Sequence, residues 1–207
     1  YNEAKSEIQA KAENAGLRIE NEVNATIAEI KYSINFLKEA RDLDVEREFV
    51  EQMLGRQARR NPAYNGVCTT WEPYAFDDRD KNYIGHPGYY KDDGRLIVFW
   101  YRENDSLFYD ESTYSWDKEQ ELGADWYNVP RDTKELYIFM DAFPILGKDY
   151  ILVSMSLCYP ILENGEYLGV YEVDVTSRFM QDLALTLKND LYGGRAAVKL
   201  FSNKGQV

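Results

Sequence analysis

The feature that most constrains this chain is its first forty residues. Apolar side chains recur at Ile8, Ala12, Ala15, Ile19, Val23, Ile27, Ile30, Ile34 and Leu37, in alternating steps of three and four. That is the period of one face of a helix. No proline interrupts the run and only Gly16 weakens it. A helix from about Asn2 to Arg41 rises ~1.5 Å per residue and spans about 60 Å. This is about twice the diameter of a small domain. Such a helix cannot pack wholly against one domain: it forms a spine running past it or pairs with a second helix. Its other face carries Glu, Lys, Asn and Arg, so it is amphipathic.

A second helix follows, with Asp44 at the N-cap, Glu46 and Glu48 in the first turn, and Phe49, Val50, Met53 and Leu54 as the apolar stripe. Asn61-Pro62 ends it. The period then changes. Gly66–Tyr74 and Arg95–Arg102 read as strands, separated by the polar loop Asp77-Asp78-Arg79-Asp80 and a turn at Lys91-Asp92-Asp93-Gly94. Residues 103–135 read as loop and short helix. Glu135–Asp141 and Tyr150–Tyr159 are further strands. Asn164-Gly165, between Leu157–Leu162 and Tyr167–Val175, is the strongest hairpin signal in the chain. Thr176 or Ser177 caps a helix through about Leu191, which Gly193-Gly194 ends. Ala197–Phe201 opens what reads as a further β unit. The order is α+β, with a long helix, about five antiparallel strands and a connecting helix.

Composition narrows the function. A length of 207 residues holds one well-cored domain, or one plus part of another. The net charge of −12 argues against nucleic acid and against an anionic membrane surface. No run of 18 apolar residues is present that would span a bilayer. Both termini read as boundaries of a piece cut from a longer chain. Seventeen Tyr and four Trp supply either a ligand-lining aromatic wall or a thick aromatic core. Cys68 and Cys158 lack metal-type spacing and read as small buried hydrophobes or as a disulfide across strands.

Catalytic constellations are missing. His86, in Gly85-His86-Pro87-Gly88, is the one histidine, too little for a triad or a zinc site. There is no phosphate-binding glycine loop and no EF-hand pattern. Asp77-Asp78-Arg79-Asp80 reads as a solvated charge cluster rather than a Ca²⁺ site. The expectation is a binding protein, not an enzyme, with no metal and no cofactor; the alternatives are a helical assembly or scaffold module whose aromatics form a closed core without a ligand site, and a hydrolase using an acidic pair.

Several segments together resemble one family. Gly66-Val67-Cys68-Thr69-Thr70-Trp71-Glu72-Pro73-Tyr74-Ala75-Phe76-Asp77 is similar to the strand that opens the distal module of double Cache sensor domains in bacterial chemoreceptors and sensor kinases. Gly94-Arg95-Leu96-Ile97-Val98-Phe99-Trp100-Tyr101-Arg102 is similar to its next strand, and Asp125-Trp126-Tyr127 to the family's Trp-Tyr before a short helix. Tyr159-Pro160-Ile161 through Gly169-Val170-Tyr171-Glu172-Val173-Asp174-Val175 resembles the closing hairpin, which ends on an aspartate. The resemblance implies a PAS-like antiparallel sheet (Cache) packed on the spine helix. The expected division is 1–58 for the helices, 59–175 for a membrane-distal ligand-binding module, 176–194 for a linker helix and 195–207 for the start of a second, membrane-proximal module.

The same resemblance implies an extracytoplasmic or periplasmic sensor region of a membrane receptor. Transmembrane helices would flank the intact region, and the receptor would act as a homodimer through its N-terminal helices. The family's ligand-lining positions fall on Trp126, Tyr127, Asp141 and Asp174, where carboxylates accept from a ligand ammonium and rings face its charge. The amino-acid binders carry an arginine two residues before the tryptophan, and here that position is Ala124. The ligand is then a small nitrogenous metabolite without an α-carboxylate, such as an amine or heterocycle, or another cation replaces the arginine. Arg102, two residues from Trp100 and on the same strand face, is that candidate, and would serve a small carboxylate. Trp71, Trp100 and Asp77 complete the candidate set. The alternatives are plain core for Trp71 and Trp100, a helix cap for Asp174, and an ion pair with an acid such as Asp77 for Arg102. The resemblance also places Cys68 and Cys158 on neighbouring strands, within reach of a disulfide.

Overall fold

Alternating apolar steps and a hairpin turn become, in the computed structural model, four α-helices and an antiparallel sheet among the described residues. The structure describes residues 2–89, 92–110, 125–144, 151–176 and 178–199. Helix α1 spans Asn2–Asp42 and α2 spans Arg47–Arg60. Strands β1 (Tyr64–Trp71), β2 (Ile97–Glu103) and β3 (Ser106–Tyr109) precede α3 (Asp125–Thr133). Then come β4 (Tyr137–Pro144), β5 (Ile151–Glu163), β6 (Glu166–Thr176) and α4 (Arg178–Asp190). The chain divides into two compact units: Tyr1–Ala28 with Thr176–Val207, and Glu29–Val175. In the first, Lys11 Nζ donates to the Asp190 carbonyl over 3.0 Å, and Ala15 and Leu183 are buried.

The second unit contains one six-stranded sheet in the order β3-β2-β1-β6-β5-β4, with antiparallel register throughout the described ladders. The expected α+β sheet on a long helix is present. The β5–β6 turn is Asn164-Gly165, both residues at positive φ (50° and 83°), the geometry this dipeptide favours in a two-residue hairpin. Helix α2 buries Val50, Leu54 and Ala58, spaced by four, on β1 and β2. Gly55 has no Cβ, so the Trp100 ring lies flat on α2: a Cβ there would stand 2.7 Å from Trp100 Cε2.

Several expectations need correction. Asp44 is not the α2 cap: it turns the chain at φ 52°, and Glu46 precedes the helix. The segment 103–135 contains a strand, β3, which pairs with β2 across the Asn104-Asp105 turn. Cys68 on β1 and Cys158 on β5 are separated by β6, about two strand spacings or ~10 Å, beyond disulfide reach. Both thiols are free and buried. After Gly194 no strand occurs as far as Lys199, and residues 200–207 of the expected second module lie outside the described residues. No helix among the described residues is long and apolar enough to cross a membrane.

Candidate functional site

Strand alternation assigns every sheet residue to one of two faces. Val67, Thr69 and Trp71 of β1 share a face with Val98, Trp100 and Arg102 of β2 and with Tyr171 and Val173 of β6. This face meets the helices. Trp100 Nε1 donates to the Glu51 carbonyl over 2.9 Å, and Tyr171 Oη to Gln57 Oε1 over 2.5 Å. Arg102 donates to the carbonyls of Ala58 (2.6 Å), Tyr64 (3.2 Å) and Asp105 (3.3 Å), so its guanidinium ties α2 to the sheet edge. It makes no pair with Asp77. Trp71 is fully buried, edge-on to Phe76, with Nε1 unpartnered.

Asp77 is committed elsewhere. Arg47, 0% exposed, grips the Asp77 and Asp80 carboxylates and the Gly94 carbonyl, and its guanidinium lies 4.3 Å from the Tyr83 ring centroid. Arg79 also bonds Asp77. These arginines hold Asp77 below its ordinary value, although burial alone would raise it. At Asp80 burial outweighs the arginine and the pKa rises. The loop expected as a solvated charge cluster thus holds a buried ion network.

The opposite face holds a different chemistry. Gly66, Cys68 and Thr70 of β1 pair with Asp174, Glu172 and Val170 of β6, and with Tyr101, Phe99 and Ile97 of β2. Asp174 is 3% exposed and Glu172 8%. Ser156 Oγ donates to Asp174 Oδ1 over 2.5 Å, and Glu172, two residues before Asp174, shares its face of β6. Cys158 of β5 contacts Glu172 and belongs to an apolar cluster with Tyr127 and Val170, against which Trp126, Tyr137, Phe139 and Tyr167 pack. Beside Asp174, the register shift at Tyr64/Gly66 is a bulge in β1, and Asn65 Nδ2 donates from it to Ser154 Oγ over 2.9 Å. Tyr127 Oη donates to Glu72 Oε1 over 2.5 Å, which ties α3 to the end of β1.

Two buried carboxyls side by side have an unusual electrostatic position. None of the ion pairs among the described residues includes Glu172 or Asp174. Burial pushes both pKa values up. Asp174 rises to about 6 despite its hydrogen bonds, and Glu172 rises further because Asp174 adds its own charge. No group of three or more His, Cys, Asp or Glu suited to a metal ion occurs among the described residues.

Of the eight candidate residues, Asp174 lies on this face, and Trp126 and Tyr127 pack at its Cys158–Val170 end. The backbone of Asp141 pairs with Ser154 in the β4–β5 ladder, while its side chain, like Ala124, lies outside the described residues. Trp100, Arg102, Trp71 and Asp77 serve packing or ion pairing elsewhere. Glu172, Ser156, Asn65 and Gly66 join the site without having been singled out. Gly66 is required sterically: an added Cβ would collide with Asp174 Oδ2 and come within 3.0 Å of Phe99 Cε2. Gly66→Ala is expected to lower stability by about 1–3 kcal/mol in urea titration, because both neighbours are confined. An unchanged midpoint would show that the Asp174 carboxyl can move aside.

No protein-family model matches the chain. The methyl-accepting chemotaxis protein TlpQ of Pseudomonas aeruginosa is 24% identical over 168 residues, 77% of this chain and 23% of that protein. Among solved structures, the extracellular domain assigned to histidine kinase mmHK1S-Z2 is 25% identical with a TM-score of 0.70, over 88% of this chain and 64% of that one. The periplasmic sensory domain of the Campylobacter jejuni chemoreceptor Tlp1 shares the fold at 12% identity and TM-score 0.59, over 85% of this chain and 61% of that one. The chain therefore spans about a quarter of the curated relative it matches and less than two thirds of these solved domains. With six antiparallel strands and a long N-terminal helix, the chain has the α+β fold of the extracellular sensor domains of histidine kinases and chemoreceptors that it resembles.

Proposed function

We propose that this chain is the extracytoplasmic ligand-sensing region of a membrane-anchored receptor and that it binds a small protonated nitrogen compound, an amine or cationic heterocycle, rather than catalysing a reaction. One observation carries this reading: the buried Glu172–Asp174 pair, without an ion-pair partner among the described residues, on the sheet face where Trp126 and Tyr127 pack against Cys158 and Val170. A buried carboxylate without a counter-ion is costly, and a ligand ammonium supplies the missing charge and hydrogen bonds. Aromatic rings beside it add cation–π attraction. A closed scaffold core would gain nothing from these acids. The alternative ligand, a small carboxylate held by Arg102, is disfavoured because that guanidinium is spent on three backbone carbonyls. The relatives' names support a signalling output, and homodimerisation through α1 is part of the same reading, tested by sedimentation of the chain.

Thermal-shift screening with primary amines, purines, amino acids and short carboxylates tests the ligand class. A true ligand at a hundredfold its Kd stabilises by about 2.7 kcal/mol. Stabilisation is expected from amines, with carboxylates inert. Stabilisation by short carboxylates alone would overturn the reading.

A further inference from the structure

The groups facing Glu172 and Asp174 can be named element by element. On β1 they are Cys68, with Gly66 leaving room for the Asp174 carboxyl. On β5 they are Ser156, donating to Asp174, and the thiol of Cys158. On β4, Tyr137 is paired with Cys158 and Phe139 with Ser156. One step further out, Trp126 and Tyr127 of α3 pack against Cys158 and Val170, with Tyr127 bound to Glu72. Asp110, after β3, adds a more distant negative charge at Cys68. The cation bordering this set on α3 is Arg131, 5.8 Å from the Tyr127 ring centroid, and it pairs with Asp132 rather than with Glu172 or Asp174.

Glu172 and Asp174 are both buried two residues apart on one face of β6, and none of the ion pairs among the described residues reaches either, so a proton on the pair is what spares two adjacent uncompensated charges. We infer that the ligand-free site stores one proton on the Glu172–Asp174 pair and that a cationic ligand binds by exchanging for it, so that the sensor reads its ligand and the external pH together. This rests on the proposed amine reading of the site. The exchange balances: the ammonium enters with its charge, the shared proton leaves to solvent, and the pair goes from singly to doubly ionised. Ser156 Oγ, donating to Asp174 Oδ1, favours the anion there and leaves Glu172 as the proton holder. Competition between proton and ligand for one site makes affinity fall as pH falls, by about tenfold per pH unit in the limit.

The test is calorimetry of the chain with primary amines from methylamine to phenethylamine, in pairs of buffers differing in ionisation enthalpy. For the tightest amine, release of about one proton per site is expected at pH 7.5, with about tenfold weaker binding per pH unit toward pH 5.5. In Glu172→Gln, amine binding persists, proton release falls to near zero and the pH dependence flattens. Infrared spectra of the ligand-free chain supply an arm independent of ligand: a protonated-carboxyl carbonyl band, lost in Glu172→Gln. Amine binding with no proton release overturns the exchange and leaves the amine reading intact. Absence of the carboxyl band overturns the stored proton. The band without binding by any amine overturns the amine reading, and with it the exchange.

Discussion

Asp174→Asn is expected to stabilise the ligand-free domain at pH 7.5 and to weaken amine binding by a hundredfold or more. Both effects have one cause. In the folded chain the carboxyl is buried beside Glu172, and its pKa rises from 3.8 to about 6. A raised acid pKa means that the folded state binds its proton more tightly than the unfolded state. Stability is therefore full below the unfolded value and falls as pH rises through about 6. An amide of the same shape removes that loss, worth about 2–3 kcal/mol. It also keeps a partner for Ser156 Oγ, since the amide oxygen accepts as the carboxylate did. What it cannot supply is charge for a ligand ammonium; losing a charge-assisted bond in a dry site costs on the order of 3 kcal/mol. Urea titration at pH 7.5 and pH 4 checks the first effect. The gain should be present at pH 7.5 and nearly absent at pH 4. Calorimetry checks the second, and a variant both less stable and still fully binding would refute this account of Asp174.

The largest loss of stability is expected at Arg47. Arg47→Ala should cost about 3–5 kcal/mol, because it strands two buried acids, Asp77 and Asp80, in a site built around the guanidinium. The same change frees the Gly94 carbonyl and removes the cation from the faces of Tyr83 and Tyr89. Asp77 gives the pH signature. Its pKa is held down by Arg47 and Arg79, so its contribution is present above its unfolded value and fades as pH falls through the folded one. The gap between wild type and Arg47→Ala in urea should therefore narrow at acid pH. The loop at Asp77–Asp80 and the start of α2 should lose amide protection together, since Tyr74 N donates to Asp80 Oδ2 over 2.6 Å and Arg79 Nη1 to Glu46 Oε2 over 2.7 Å. A loss below about 1 kcal/mol, typical of a surface pair, would show the network to be solvated.

Much of the fold was legible before any coordinates. The three-four spacing from Ile8 to Leu37 foretold α1, and Asn164-Gly165 foretold the β5–β6 hairpin, because both are local devices whose geometry depends on neighbouring residues alone. The β2–β3 hairpin was missed for a local reason too: its turn, Asn104-Asp105, lacks the glycine that marks such turns, although both residues take positive φ. The site was legible in part. Trp126, Tyr127 and Asp174 stood out through resemblance, while Trp100 and Arg102, on the same strand, point the other way, onto α2.

Glu172 shows where local reading stops. Tyr171-Glu172-Val173-Asp174 alternates apolar and polar, the pattern of a strand with one face in the core and one in water. On β6 the residues of both faces are buried, with Tyr171 and Val173 toward the helices and Glu172 and Asp174 on the opposite face, beside Ser156 of the neighbouring β5. Arg47 reads as a helix surface residue and Asp80 as loop for the same reason: their partner lies 33 positions away. The sequence by itself determined the long helix, five of the six strands, the key hairpin and the excess of acid. Only the tertiary structure decided which polar residues turn inward, because burial depends on what distant segments pack above a face, and a period of two cannot distinguish a face in water from a face beneath another element.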